Sequence, residues 1–132
     1  MRDAVIVSTA RTGIGKAFRG ALNATKAPSL AAHAIREAVA RAGVEGAEVD
    51  DVLLGTVLAA GTAGMNLARN AGLAAGLPET VPAQTLDRQC ASGLMAIAEG
   101  ARQIRDDGMR VVVAGGQESI SLVQERYFAW VS

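Results

Sequence analysis

A thiol that works as a nucleophile needs surroundings that favour its anion and an open approach for an electrophile; this sequence holds one cysteine, Cys90. A strand ending near Asp87 is expected to turn there into a helix beginning at Ala91. Backbone N–H groups and the positive end of the helix dipole would then favour an anionic sulfur. From Gln89 the chain reads Gln-Cys-Ala-Ser-Gly-Leu-Met-Ala-Ile-Ala without a formal charge, which predicts that the first turns of the helix are buried. The competing reading is packing alone, because free cysteine is among the most buried residue types. Covalent chemistry at sulfur also needs a base, usually His. The single histidine, His33, falls on a different helix beside Glu37, where a solvated or packed role is favoured over a catalytic one.

Two phosphate-binding patterns fail on their own residues. Gly15-Lys16 follows a strand as in a phosphate loop, but Ala10 and Ala17 stand where that loop needs Gly and Ser or Thr. The same stretch lacks the Gly-x-Gly-x-x-Gly series that opens a dinucleotide-binding helix.

The elements that must position Cys90 follow from periodicity and punctuation. A buried strand is expected over residues 4–7, rich in β-branched side chains, followed by a loop over 11–20. Ser29 is the expected N-cap of a helix in which Leu30, Ala34, Ile35, Ala38, Val39 and Ala42 share a face and Gly43 is the stop. A second strand is expected over 52–57, with Val49 before it, then a turn at Gly61 and Gly64 and a helix over 66–75 closed by Gly76 and Pro78. Residues 81–86 read as a strand, 91–106 as a helix capped by Gly108, and 110–114 as a strand. Such a unit has parallel strands and a right-handed crossover. The alternation predicts an α/β sheet with helices on its faces.

Composition narrows the classes further. The 132 residues suit one domain, are 50% apolar and balance to a net charge of zero, which argues against disorder and against nucleic acid as a partner. The apolar share is mostly Ala, Val and Leu, with Gly plentiful, so layers can approach closely. One cysteine forms no internal disulfide, Asp3 interrupts the first apolar run so that no secretory signal is read, and no apolar stretch approaches membrane-spanning length. A cytoplasmic setting and no membrane association are expected. Most of the aromatic residues, Tyr127, Phe128 and Trp130, fall near the end of the sequence, where nothing later can cover them.

Four separated segments resemble thiolases, in family order. They are Ser8-Thr9-Ala10-Arg11-Thr12-Gly13-Ile14-Gly15-Lys16, Met65-Asn66-Leu67-Ala68-Arg69, the nucleophile segment from Thr85 through Asp87, Cys90 and Gly93 to Ile97, and Gly115-Gly116-Gln117-Glu118-Ser119. The resemblance runs to about Val123; Asp87 departs from it, standing where many thiolases carry Asn.

The resemblance implies the N-terminal half of the layered αβαβα fold, an α/β arrangement with a mixed sheet and a buried helix after the nucleophile. Residues 1–123 would be an incomplete N-terminal domain and 124–132 a divergent tail, marking truncation or a frame change. It further implies acyl transfer between 3-ketoacyl-CoA or acetoacetyl-CoA and coenzyme A, as in fatty acid metabolism. Cys90 would be the acylated nucleophile and its backbone N–H an oxyanion donor. Coenzyme A would be a substrate, with no permanently bound cofactor and no metal. Arg11, Lys16 and Arg19 read as a solvated surface rather than a site for its phosphates. In thiolases the catalytic histidines and second cysteine come from segments without a counterpart here, so activity of this chain alone is in question. A homodimer joined near residues 81–87 is implied once the fold is complete. The alternatives are a non-catalytic thiolase-fold module, or a ketoacyl synthase relative acting on a carrier protein.

Overall fold

A sheet strand buried on both faces must be apolar throughout, and Val52, Leu53 and Leu54 meet that demand at the centre of the computed structural model, which describes residues 2–131. The side chains of 125–127, 130 and 131 lie outside the description. The elements are α1 (Ala27–Ala42), β1 (Asp51–Gly55), α2 (Leu67–Ala75), β2 (Ala83–Leu86), α3 (Ser92–Asp106), β3 (Val112–Gly116) and α4 (Ile120–Val131).

The sheet has the order β2-β1-β3 and both pairings are parallel, with Leu53 opposite Gln84 on one side and Ala114 on the other. An antiparallel member, which a mixed sheet requires, is not among the described strands. The chain moves from β1 to β2 in one direction and from β2 past β1 to β3 in the other. If both crossovers keep the same hand, their helices must lie on opposite faces. They do: Val52 and Leu54 pack with Ala31 and Ile35 of α1 and Ala68 and Ala71 of α2, while Leu53 meets α3 at Gly100. A second apolar cluster joins Ala27, Leu58, Ala63 and Leu67 to Val123 of α4.

Several element ends differ from the sequence reading, the strand ends because a side chain takes the backbone groups first. β3 begins at Val112, not 110, since the Arg110 and Val111 amides donate to the Asp50 carboxylate at 2.7 and 3.0 Å. β1 stops at Gly55, not 57, since the Val57 and Leu58 amides donate to Glu118. α1 begins at Ala27, with Lys26 as its N-cap and Pro28 in the first turn, where its missing N–H costs nothing; Ser29 is therefore inside the helix. Asn66 caps α2 by accepting the Arg69 amide at 3.2 Å.

Two larger expectations are corrected. Residues 4–7 form no strand, and Val5, Ile6 and Val7 are 72%, 76% and 73% exposed. β propensity is realised only where a ladder partner is engaged, and this segment is instead tethered at its flanks: the Arg2 guanidinium donates to the Met109 carbonyl and that of Arg41 to the Thr9 carbonyl. A groove of about 520 Å³ separates it from β3. Nor are the first turns of α3 buried all round. Ser92, Ala96 and Gly100 face the sheet, whereas Leu94 and Ile97 are 72% and 41% exposed on the outer face. α4, which the sequence reading did not mark, runs without a break past residue 123.

Candidate functional site

Parallel strands end at one edge, and in open α/β sheets ligands bind beyond that edge, where the strand order reverses. Here the reversal is at β1, and the segments leaving Gly55, Leu86 and Gly116 meet around the start of α3. The Thr56 amide donates to the Leu86 carbonyl and the Gln117 amide to the Gly55 carbonyl, both at 3.0 Å, so the three exits are tied together. Glu118 binds the first exit to the third: its carboxylate accepts from the Thr56 hydroxyl at 3.2 Å, the Val57 amide at 2.9 Å and the Leu58 amide at 3.1 Å.

Cys90 sits in the middle exit, two residues before α3, and is exposed. The turn carrying it is tight. Gln89 is left-handed at φ 52°, a conformation that costs a residue with a Cβ about 1–3 kcal/mol. Asp87 Oδ1 accepts the Gln89 amide at 2.8 Å, an Asx turn that holds this conformation. The Ala91 amide donates to the Arg88 carbonyl and the Ser92 amide to the Gln89 carbonyl. The Cys90 amide is engaged in neither of these turn bonds.

The start of α3 rests directly on the sheet. A Cβ placed on Gly55 would lie 2.2 Å from the Ser92 carbonyl carbon, and one on Gly116 would lie 3.0 Å from the Gly93 Cα. Gly93 therefore lies at a close helix–strand approach. These contacts fix the height of the Cys90 turn above β1 and β3.

The four segments singled out in the sequence converge here. Residues 10–16 and 116–119 line one cavity of about 370 Å³. Thr85 Oγ1 accepts the Ala68 amide and donates to Asn66 Oδ1, and Asn66 Nδ2 donates to the Ala83 carbonyl, joining the second segment to β2. Cys90 lies outside the lining of that cavity and of the larger groove. His33 is exposed on α1, and Arg11, Lys16 and Arg19 are exposed in the loop before it. Among the described residues no group of three or more His, Cys, Asp or Glu could hold a metal, and no helix is long and apolar enough to cross a membrane.

The sequence reading singled out Cys90 but not the residues that hold its turn. Asp87 two residues ahead of Gln89 was a visible Asx-turn signal. The Ser92 bonds, to groups three to five residues back, are local as well, whereas the Glu118 bonds to residues 56–58 had no signal because they depend on tertiary placement.

The family profile described as "Thiolase, N-terminal domain" matches residues 4–129. An acetyl-CoA acetyltransferase of Pseudomonas aeruginosa is 48% identical over 122 residues, which are 92% of this chain and 30% of that protein. A 3-ketoacyl-CoA thiolase of Bacillus subtilis is 44% identical over 123 residues, 93% of this chain and 32% of that protein. The crystal structure of the Bacillus anthracis acetyl-CoA acetyltransferase superposes with a TM-score of 0.82 at 46% identity, covering 88% of this chain and 29% of that one. The chain thus spans about a third of the length of these relatives.

Proposed function

The chain belongs to the thiolase family, matching its N-terminal domain, and we propose that it supplies the nucleophile of a coenzyme A-dependent acyl transfer, with Cys90 as the residue acylated. One observation carries this reading: an exposed thiol on a strained turn, at the edge where all three parallel strands end. The relatives' names, acetyl-CoA acetyltransferase and 3-ketoacyl-CoA thiolase, support acetyl-CoA and 3-ketoacyl-CoA as the substrate class.

In this reading the Cys90 thiolate attacks the 3-keto carbonyl carbon and forms the C–S bond. Negative charge moves to the carbonyl oxygen, where the Cys90 backbone N–H is the donor we assign. Collapse breaks the bond between C2 and C3, acetyl-CoA leaves as its enolate and takes a proton, and the shortened acyl group stays on sulfur. The thiol of a second coenzyme A then attacks the thioester, loses its proton and releases Cys90. His33, exposed on α1, is assigned no part. The base and the group that protonates the enolate are placed in other thiolase segments. We place the working protein in the cytoplasm, as a homodimer joined near β2.

Incubation with acetyl-CoA followed by peptide mass spectrometry tests the assignment. Acetyl-Cys90 is expected in the wild type and no acetylated peptide in Cys90→Ala. A wild type that stays unlabelled under conditions that label a longer thiolase would favour a second reading, a non-catalytic module of the fold. The exposed Leu94 and Ile97 on α3 support that alternative, since they form a face suited to burial against another layer.

A further inference from the structure

We infer that Ser92 and Asp87 are positioning residues for Cys90, acting together as a clasp on the turn that carries the sulfur; the inference rests on the acyl-transfer reading for its purpose but on geometry for its content. The Ser92 hydroxyl accepts the Arg88 amide at 2.8 Å and donates to the Gln89 carbonyl at 2.6 Å, with Asp87 Oδ1 at 3.4 Å. Asp87 Oδ1 takes the Gln89 amide. Both backbone groups of the left-handed Gln89 are therefore held by these two side chains, one on each. A residue in that conformation relaxes unless its surroundings over-determine it.

The clasp is also anchored. Ser92 is buried, and its carbonyl sits where a Cβ on Gly55 would be, so the hydroxyl is fixed to the central strand rather than to a loop. Cys90, between the two clasped residues, inherits that position. Only one oxygen of Asp87 takes part, and the amide oxygen of Asn offers the Gln89 amide the same acceptor. The departure at this position, Asp where many thiolases carry Asn, thus leaves the device intact.

The test uses the chain with Asp87→Ala, Asp87→Asn and Ser92→Ala, two probes of Cys90, and circular dichroism to confirm folding. Iodoacetamide reads access and thiol orientation without thioester chemistry; acetyl-CoA reads acylation. Asp87→Ala and Ser92→Ala are expected to acetylate at least about tenfold more slowly and to change their alkylation rate at least about threefold, because displacement of the sulfur by a fraction of an ångström enters the rate exponentially. Asp87→Asn is expected to match the wild type with both probes. Asp87 is exposed, so its pair of variants decides the matter even if Ser92→Ala fails to fold. Wild-type alkylation rates in Asp87→Ala would overturn the inference, as would an Asp87→Asn variant as altered as Asp87→Ala. If the wild type accepts no acetyl group but the alkylation pattern holds, the acyl-transfer reading falls and the clasp stands.

Discussion

Gly55→Ala is the smallest change that should move the Cys90 thiol without touching it. The added Cβ would lie 2.2 Å from the Ser92 carbonyl carbon, 2.4 Å from its oxygen and 2.5 Å from the Gly93 nitrogen, all backbone atoms that no rotamer change can remove. Carbon atoms rest about 3.5–4.0 Å apart, so the start of α3 must retreat from β1 by roughly 1 Å or more. Overpacking of this kind costs about 1–3 kcal/mol. For a chain of this size that corresponds to a fall in Tm of roughly 4–12 °C. The matched control is Gly93→Ala, whose Cβ would meet the Gly116 Cα at an ordinary 3.5 Å. Replacing a helical glycine that has room gains up to about 1 kcal/mol, so this variant should melt at or above the wild type. Differential scanning calorimetry of the three proteins reads the contrast. Where acetylation is measurable, Gly55→Ala should also slow it by on the order of a hundredfold, the usual consequence of a 1 Å misplacement. Equal melting of Gly55→Ala and wild type would refute the close approach of α3 to β1. A Gly93→Ala variant that melts as low as Gly55→Ala would refute the claim that the contact is specific to the end of β1.

Leu53→Ala, which empties a fully buried site under α3, should cost about 2–5 kcal/mol, whereas Ile6→Ser on the exposed amino-terminal segment should stay within about 0.5 kcal/mol; similar urea midpoints would mean that residues 4–7 are paired after all. Glu118→Ala removes the shared acceptor of the Thr56 hydroxyl and the Val57 and Leu58 amides, and a loss of about 1–3 kcal/mol in urea unfolding is expected, with no loss if water replaces the carboxylate. The Asp50 carboxyl is held below its ordinary value of 3.8 by the Val111 amide first, then the Arg110 amide and the Arg110 charge, against desolvation. A depressed carboxyl contributes stability that is present above its unfolded value and lost as pH falls through the folded one. Urea midpoints should therefore drop below about pH 4 in the wild type and flatten there in Asp50→Ala, and parallel curves would remove Asp50 from the account.

Much of the fold was legible because periodicity and punctuation are local. α1, α2 and α3 lie where apolar spacing put them, and Gly43 and Gly76 stop two of them in the left-handed conformation. The strand ends were not legible, because Asp50 and Glu118 take amides that the sequence alone would give to the ladder. Residues 4–7 show the reverse failure. Their β-branched side chains record what the segment is suited to, and pairing is a property of the neighbour as well.

The site divides along the same line. A lone Cys between strand and helix left a nucleophile and a packed thiol both open, and the resemblance to thiolases is what singled out Cys90. How the sulfur is held depends on glycines from two strands, and their roles appear only when the layers are stacked. Gly55 of β1 and Gly116 of β3 each lack the one atom that would push α3 off the sheet, whereas a Cβ on Gly93 of α3 itself would make only ordinary contact. The excess of Gly and Ala in the composition had indicated thin layers without saying which positions needed them. Larger side chains at these sites would raise α3 and carry the Asp87–Ser92 clasp with it, because Ser92 is both the clasp and the contact to Gly55. Layer spacing and thiol position are therefore one variable in this fold, and a change to either should be seen in both melting temperature and thiol reactivity.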